Sequence, residues 1–213
     1  MGRLKTLGFL VTIASLLVFE VISIYCYRLK WVESLTPLGW TAIVRSADIV
    51  LFLVLFRIFS IPVSAAGLRK FVRGLVTGLA LSIILGGGFF AVAYAMRSLL
   101  GIDLRSLVNP GVQVQGLFPL IVLSGLGPFA EEIFFRGLWY TLIRAHQGVV
   151  VSVAVSAALF GVTHLLNTGT LAAAVVPALG GIVLALLYES TQSLFAPFAL
   201  HGLANFILFS RIM

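Results

Sequence analysis

Three short runs of polar residues interrupt otherwise apolar sequence, and their side chains are those that activate water. The first is Phe129-Ala130-Glu131-Glu132-Ile133-Phe134-Phe135-Arg136. Adjacent carboxylates repel each other and are each costly to desolvate, so packing alone does not account for them. In a helix Glu132 and Arg136 are four apart with the acid on the N-terminal side, the better order for an ion pair. That occupies one carboxylate and leaves Glu131, turned about 100° around the axis, as the free one. The second run, Leu159 to His164, places Phe160 four residues before His164. The third, His201-Gly202-Leu203-Ala204-Asn205, puts His201 and Asn205 on one helix face. A lone histidine on an apolar helix is more often a hydrogen-bonded core residue than a catalyst. Two of them, with an asparagine in register and an acidic pair, suit amide hydrolysis instead. A carboxylate in a low-dielectric cavity is a better general base, imidazoles can hold or polarise the same water, and an amide donor suits the oxyanion.

The elements that carry these residues are set by composition. Hydrophobic residues make up 61% of the 213 and charged residues 10%, against about 45–50% and about 25% in soluble domains. Mean hydropathy is +1.15. No water-soluble surface can be built from that, so the surrounding solvent is lipid. The apolar runs are long and do not alternate, which argues for helices rather than a closed barrel. Seven segments are expected, at about 7–27, 38–59, 71–97, 116–143, 149–166, 171–189 and 194–211, several near the roughly 20 residues a crossing needs. Gly125, Gly127 and Pro128 interrupt the fourth, and two half-helices there would make eight. The stretch from Arg97 to Gln115 has room for a short interfacial helix. The reading is an all-α, polytopic transmembrane bundle of seven to eight helices enclosing a polar catalytic cavity. It is a single transmembrane domain over residues 1–213, with N-terminal helices to 115 and a catalytic core over 116–211.

The net charge of +7 does not indicate nucleic acid. The 14 basic residues are scattered at the ends of apolar runs, where they meet lipid headgroups. Arg3, Lys5, Arg69, Lys70, Arg73 and Arg144 fall on one face and Arg28, Lys30, Arg97, Arg105 and Arg211 on the other, a small bias toward an N-terminus inside. The run from Leu7 to Tyr27 is too long for a signal-peptide core and reads as a retained first helix. The myristoylation-like start is too short a match to weigh. Cys26 has no second cysteine to pair with. Gly74 and Gly78 have the spacing of close helix packing, within the chain rather than between copies. Arg45 and Asp48, three apart, read as a structural pair. Glu20 either meets Arg45 or Arg57 across helices or sits protonated in lipid, and Arg57 can snorkel.

The three runs resemble, in order and spacing, the EExxxR, FxxxH and HxxxN motifs of the CAAX-protease and bacteriocin-processing family, also called ABI. They stand here as Glu131-Glu132 with Arg136, Phe160 with His164, and His201 with Asn205, and no element of the pattern is missing. The match covers roughly 116–211. The resemblance implies a helix bundle around a conical polar cavity and cleavage of peptide bonds near the membrane face. It implies that Glu131 activates water, His164 and His201 position it, Asn205 stabilises the oxyanion, and Glu132 with Arg136 holds the helix geometry. Members remove the last three residues of prenylated CAAX proteins, process bacteriocins or confer immunity to them, or cut sorting signals, so the substrate does not follow. A membrane-associated protein or peptide is the expected partner, with the bilayer itself and no nucleic acid. The location is a membrane crossed several times, the cell membrane if the source is prokaryotic.

No cofactor is expected. A zinc site of His164, His201 and Glu131 is the alternative, but HExxH is absent and Asn205 is a poor zinc ligand. Glutamate-activated water without metal is therefore favoured. Two rival functions use the same residue types. A proton-coupled transporter predicts internal symmetry or paired broken helices, neither of which is seen. A non-catalytic immunity or scaffold protein has no need of a complete motif set.

Overall fold

Backbone N–H and C=O groups in lipid must find partners within the protein, and a continuous apolar run satisfies them as helix. A computed structural model of the chain describes residues 2–101, 114–169 and 171–210, and among these no strand occurs. Seven helices follow in order: α1 (Arg3–Arg28), α2 (Pro37–Ile58), α3 (Phe71–Leu100), α4 (Leu117–Arg144), α5 (Val149–Thr168), α6 (Ala172–Thr191) and α7 (Phe195–Phe209). Each coincides with one of the seven expected apolar segments. The expected interfacial helix between Arg97 and Gln115 falls mainly on 102–113, outside the described residues, as do Arg105 and Arg211.

Local chemistry sets the boundaries. The Thr36 side chain accepts from Gly39 N at 3.1 Å and Pro37 takes the first position of α2, where a missing N–H costs nothing. Gly101 and Gly169, at φ 68° and 72°, end α3 and α5 in the left-handed conformation that glycine adopts without penalty.

Five stretches are long and apolar enough to cross a membrane: α1, Val63–Leu100 with α3, α4, and most of α5 and α6. Large apolar side chains such as Ile83 and Ile84 on α3 point outward, an arrangement that only lipid tolerates. The chain is a multi-pass integral membrane protein. The two remaining helices are the polar and the short one. α2 carries Arg45, Asp48 and Arg57, and the 15 residues of α7 rise about 22 Å.

α4 is the axis of the bundle, packed against α1, α2, α5, α6 and α7. α3 joins through α7, where Gly74 and Gly78 face Ser193 and Ala196 so closely that neither glycine has space for a Cβ. The small-residue pair thus packs within the chain. The short connections after α1, α4 and α6 make the helices they join antiparallel, and hydrogen bonds pin both ends. At one face Leu194 N donates to Gly67 O at 2.8 Å and Arg144 Nε to Glu189 Oε1 at 3.2 Å. At the other, Trp40 Nε1 donates to Ser23 O at 3.3 Å and Val114 N to Phe209 O at 3.1 Å.

The break expected at Gly125, Gly127 and Pro128 does not occur, and with it goes the eighth helix. α4 stays helical from Leu117 to Arg144 by widening into π-turns at Val122–Leu126 and Ile133–Tyr140. Proline removes one donor from the ladder, and a shift to the wider register absorbs the defect without ending the helix.

Candidate active site

The first π-turn decides where Asn205 sits. In that register Gly127 N donates to Val122 O, and the next bond would run from residue 128 to Leu123 O. Pro128 has no N–H to give. Leu123 O is instead taken by Asn205 Nδ2 at 3.0 Å, which fixes the amide plane and leaves its second N–H for another acceptor. Gly202, one turn earlier on α7, lies directly against Ser124 O, where a Cβ would collide. The second π-turn is satisfied in the same way. Ser156 Oγ donates to Phe135 O at 3.1 Å and Thr141 Oγ1 to Arg136 O at 3.0 Å.

Between the two π-turns lie the glutamates. Glu132 is fully buried, and its Oε1 accepts from Arg136 Nη1 at 2.8 Å. Arg136, also fully buried, donates through Nη2 to Gly181 O of α6 at 3.1 Å. Its guanidinium lies 4.8 Å from the centre of the Phe160 ring, so the charge is met by a carboxylate, a carbonyl and a π face. The same Glu132 Oε1 lies 2.9 Å from His201 Nδ1. A carboxylate oxygen that accepts from an arginine requires a donor there as well, so Nδ1 of His201 carries a hydrogen.

His201 Nε2 faces Glu131, whose Oε2 is 3.8 Å away. Glu131 is about a quarter exposed, whereas Glu132 is dry. One turn of sequence therefore holds two carboxylates in different environments. Phe160 joins the histidines: its ring meets His164 edge-on at 4.6 Å and His201 at 5.5 Å. His164 Nδ1 lies 2.9 Å from Phe160 O. A carbonyl only accepts, so Nδ1 of this ring carries a hydrogen.

Depth along the helices places these groups toward one face. His164 and Asn205 each precede the last residue of their helix by four positions, Thr168 and Phe209, or about 6 Å. That face is the one bearing the α1–α2 turn. Sequence spacing foresaw the Glu132–Arg136 pair; it did not foresee His201 on Glu132 or the Leu123 carbonyl. Pro128 was the available signal for the latter, since it must leave one carbonyl of α4 without its usual donor. Among the described residues no three His, Cys, Asp or Glu side chains form a set that could hold a metal ion. Glu132 Oε1 occupies Nδ1 of His201.

The model of the family described as Type II CAAX prenyl endopeptidase Rce1-like matches residues 113–207. No curated protein and no solved structure matches the chain. The matched segment contains all three polar motifs and every residue of the cluster just described. Over residues 113–207 the chain is similar to the Rce1-like CAAX-type intramembrane proteases, the family-level resemblance that its three motifs predicted.

Proposed function

We propose that the chain is an intramembrane endopeptidase that hydrolyses a peptide bond of a membrane-associated protein or peptide with water activated by Glu131. The observation that carries this reading is the pairing of the two glutamates through one histidine. Glu132 anchors His201 by Nδ1, and Nε2 is thereby turned, as an acceptor, toward the more exposed Glu131.

A water between them donates one hydrogen to Glu131 and the other to His201 Nε2, and the water oxygen aims a free lone pair at the substrate carbonyl. Glu131 takes the proton as the water oxygen bonds to the carbonyl carbon. The oxyanion receives the second N–H of Asn205, the one not used on Leu123 O. His164, held by its Nδ1–H on Phe160 O and packed on the same Phe160 ring as His201, helps to position the water. Collapse of the intermediate breaks the C–N bond, and the leaving amine takes the proton back from Glu131. Glu132 and Arg136 take no part in proton transfer and hold the imidazole in one tautomer.

The test is cleavage of an internally quenched peptide bearing a farnesylated cysteine three residues from its C-terminus, beside an unprenylated control, by purified protein in detergent. Glu131→Gln and His164→Ala are expected to lower turnover by about 100- to 10,000-fold with unchanged thermal unfolding. Wild-type rates in folded Glu131→Gln would sink the reading.

A further inference from the structure

α1 begins and α2 ends at the face opposite the α1–α2 turn, and there the two helices are locked together. The rings of Phe9 and Phe56, both fully buried, meet at 5.2 Å. Gly8 lies so close to Ile61 and Phe59 that it has no space for a Cβ. This crossing holds the first turn of α1 beside the end of α2. Between them is a cleft of about 500 Å³, lined by Gly2, Arg3, Leu4, Lys5, Phe59 and Ser60. α2 ends in a doubly bonded turn, in which Ser60 N donates to Arg57 O at 3.1 Å and Ile61 N to Phe56 O at 2.8 Å. Ser60, at φ 50°, takes the left-handed position of that turn, where glycine is the usual residue. Its exposed hydroxyl has no partner among the described residues.

The positive charge of the cleft is uncompensated. Arg3 and Lys5 are exposed and have no partner among the described residues, and the same holds for Arg57 in the last turn of α2. Glu189, the carboxylate at this face among the described residues, is taken by Arg144 and Tyr140. Other cations of the face hold the fold together: Arg69 Nε donates to Gln192 O at 2.8 Å and Lys70 Nζ to Thr191 O at 3.1 Å. Arg3 and Lys5 have no such role. Beneath the cleft Leu4, Leu7 and Ile58 point outward from the bundle. Two cations and a hydroxyl above outward-facing apolar side chains match a phosphate ester that carries acyl chains. A free anion has no use for that apolar wall.

We propose that this cleft binds the headgroup of an anionic phospholipid, with Arg3 and Lys5 on the phosphate, the Ser60 hydroxyl donating to it, and the acyl chains along Leu4, Leu7 and Ile58. The guanidinium offers a planar pair of donors to two phosphate oxygens, and the ammonium offers a point charge. Serine at the left-handed position gives up the conformational ease of glycine and supplies a donor. A zwitterionic headgroup brings its own cation against Arg3, Lys5 and Arg57, so it fits less well. The cleft lies at the face away from His164 and Asn205, and lipid binding there is independent of cleavage.

Native mass spectrometry of the full chain in neutral detergent, titrated with dioleoylphosphatidylglycerol or dioleoylphosphatidylcholine, tests it. The anionic lipid is expected to bind more tightly. Each Lys or Arg at an anionic surface contributes about a fivefold factor in affinity, so Arg3→Gln with Lys5→Gln is expected to weaken binding of that lipid about 20-fold. Thermal unfolding in lipid-free detergent stays unchanged. Arg28→Gln with Arg97→Gln removes the same charge from the opposite face and is expected to change binding by less than about twofold. Ser60→Gly keeps the turn and removes the hydroxyl, so affinity falls about fivefold while the unfolding temperature holds or rises. Equal affinity for the two lipids overturns the proposal, as does an equal loss from the opposite-face variant. Displacement of the lipid by millimolar inorganic phosphate also overturns it, since the cleft is then a site for a free anion.

Discussion

Two charged clusters lie at membrane depth in this bundle, and they are built on opposite plans. Glu132 with Arg136 is fully buried, formed within one helix, and closed by the Gly181 carbonyl, the Phe160 ring and His201. Glu20, Arg45 and Asp48 join two helices, and Arg45 and Glu20 each keep about a quarter of their side-chain surface open. A pair sealed from water behaves as architecture, because removing one partner strands a charge in a low dielectric. In the second cluster Asp48 is buried while Arg45 and Glu20 reach water, so the exposed members can be resolvated when a partner is lost. The lesson is that charge at membrane depth is built in two ways here: one pair is sealed within a single helix, and the other cluster joins two helices and keeps part of its surface open.

The largest expected effect comes from breaking the dry pair. Arg136→Met leaves Glu132 uncompensated and is expected to destabilise the protein by about 3–5 kcal/mol. The measurement is thermal or denaturant unfolding in detergent, and a loss below about 1 kcal/mol would erase the distinction between the clusters. Gly202→Ala comes next. Its Cβ meets Ser124 O, so α7 must move away from α4, carrying His201 off Glu132 and Asn205 off Leu123. Turnover is expected to fall about 100-fold, with a stability loss of about 1–3 kcal/mol. Unchanged turnover would mean that the dry pair does not position His201. The smallest effect sharpens the contrast from outside both clusters. Glu189 pairs with the 44% exposed Arg144 at the opposite face, is itself 24% exposed, and also accepts from Tyr140 Oη at 2.8 Å, a bond that glutamine can keep. Glu189→Gln is expected to cost less than about 1 kcal/mol and to leave the rate unchanged.

Much of this architecture is visible in one dimension. The seven apolar runs correspond to seven helices because lipid leaves a long apolar segment no other means of pairing its backbone. The Glu132–Arg136 pair follows from a four-residue spacing on one helix, which no tertiary contact has to supply. Gly74 and Gly78 likewise mark a close helix contact, though not the helix that fills it. Gly125, Gly127 and Pro128 left two readings open, one continuous helix or two half-helices, and the structure takes the first. Punctuating residues end an isolated helix, but α4 is surrounded on several sides, and its neighbours supply the donors that let it widen instead.

What depended on sequence alone was therefore local: the lipid-embedded class, the helix spans, the three polar motifs and the ion pair within one turn. What the tertiary structure decided was which groups on different helices meet. It assigned His201 to Glu132, Asn205 to the carbonyl that Pro128 leaves open, and Arg45 to Glu20. Hydropathy and periodicity report the solvent around a helix and the face a residue occupies. They carry no information about the azimuth at which two helices pack, and at this site that azimuth determines which carboxylate is sealed and which faces water.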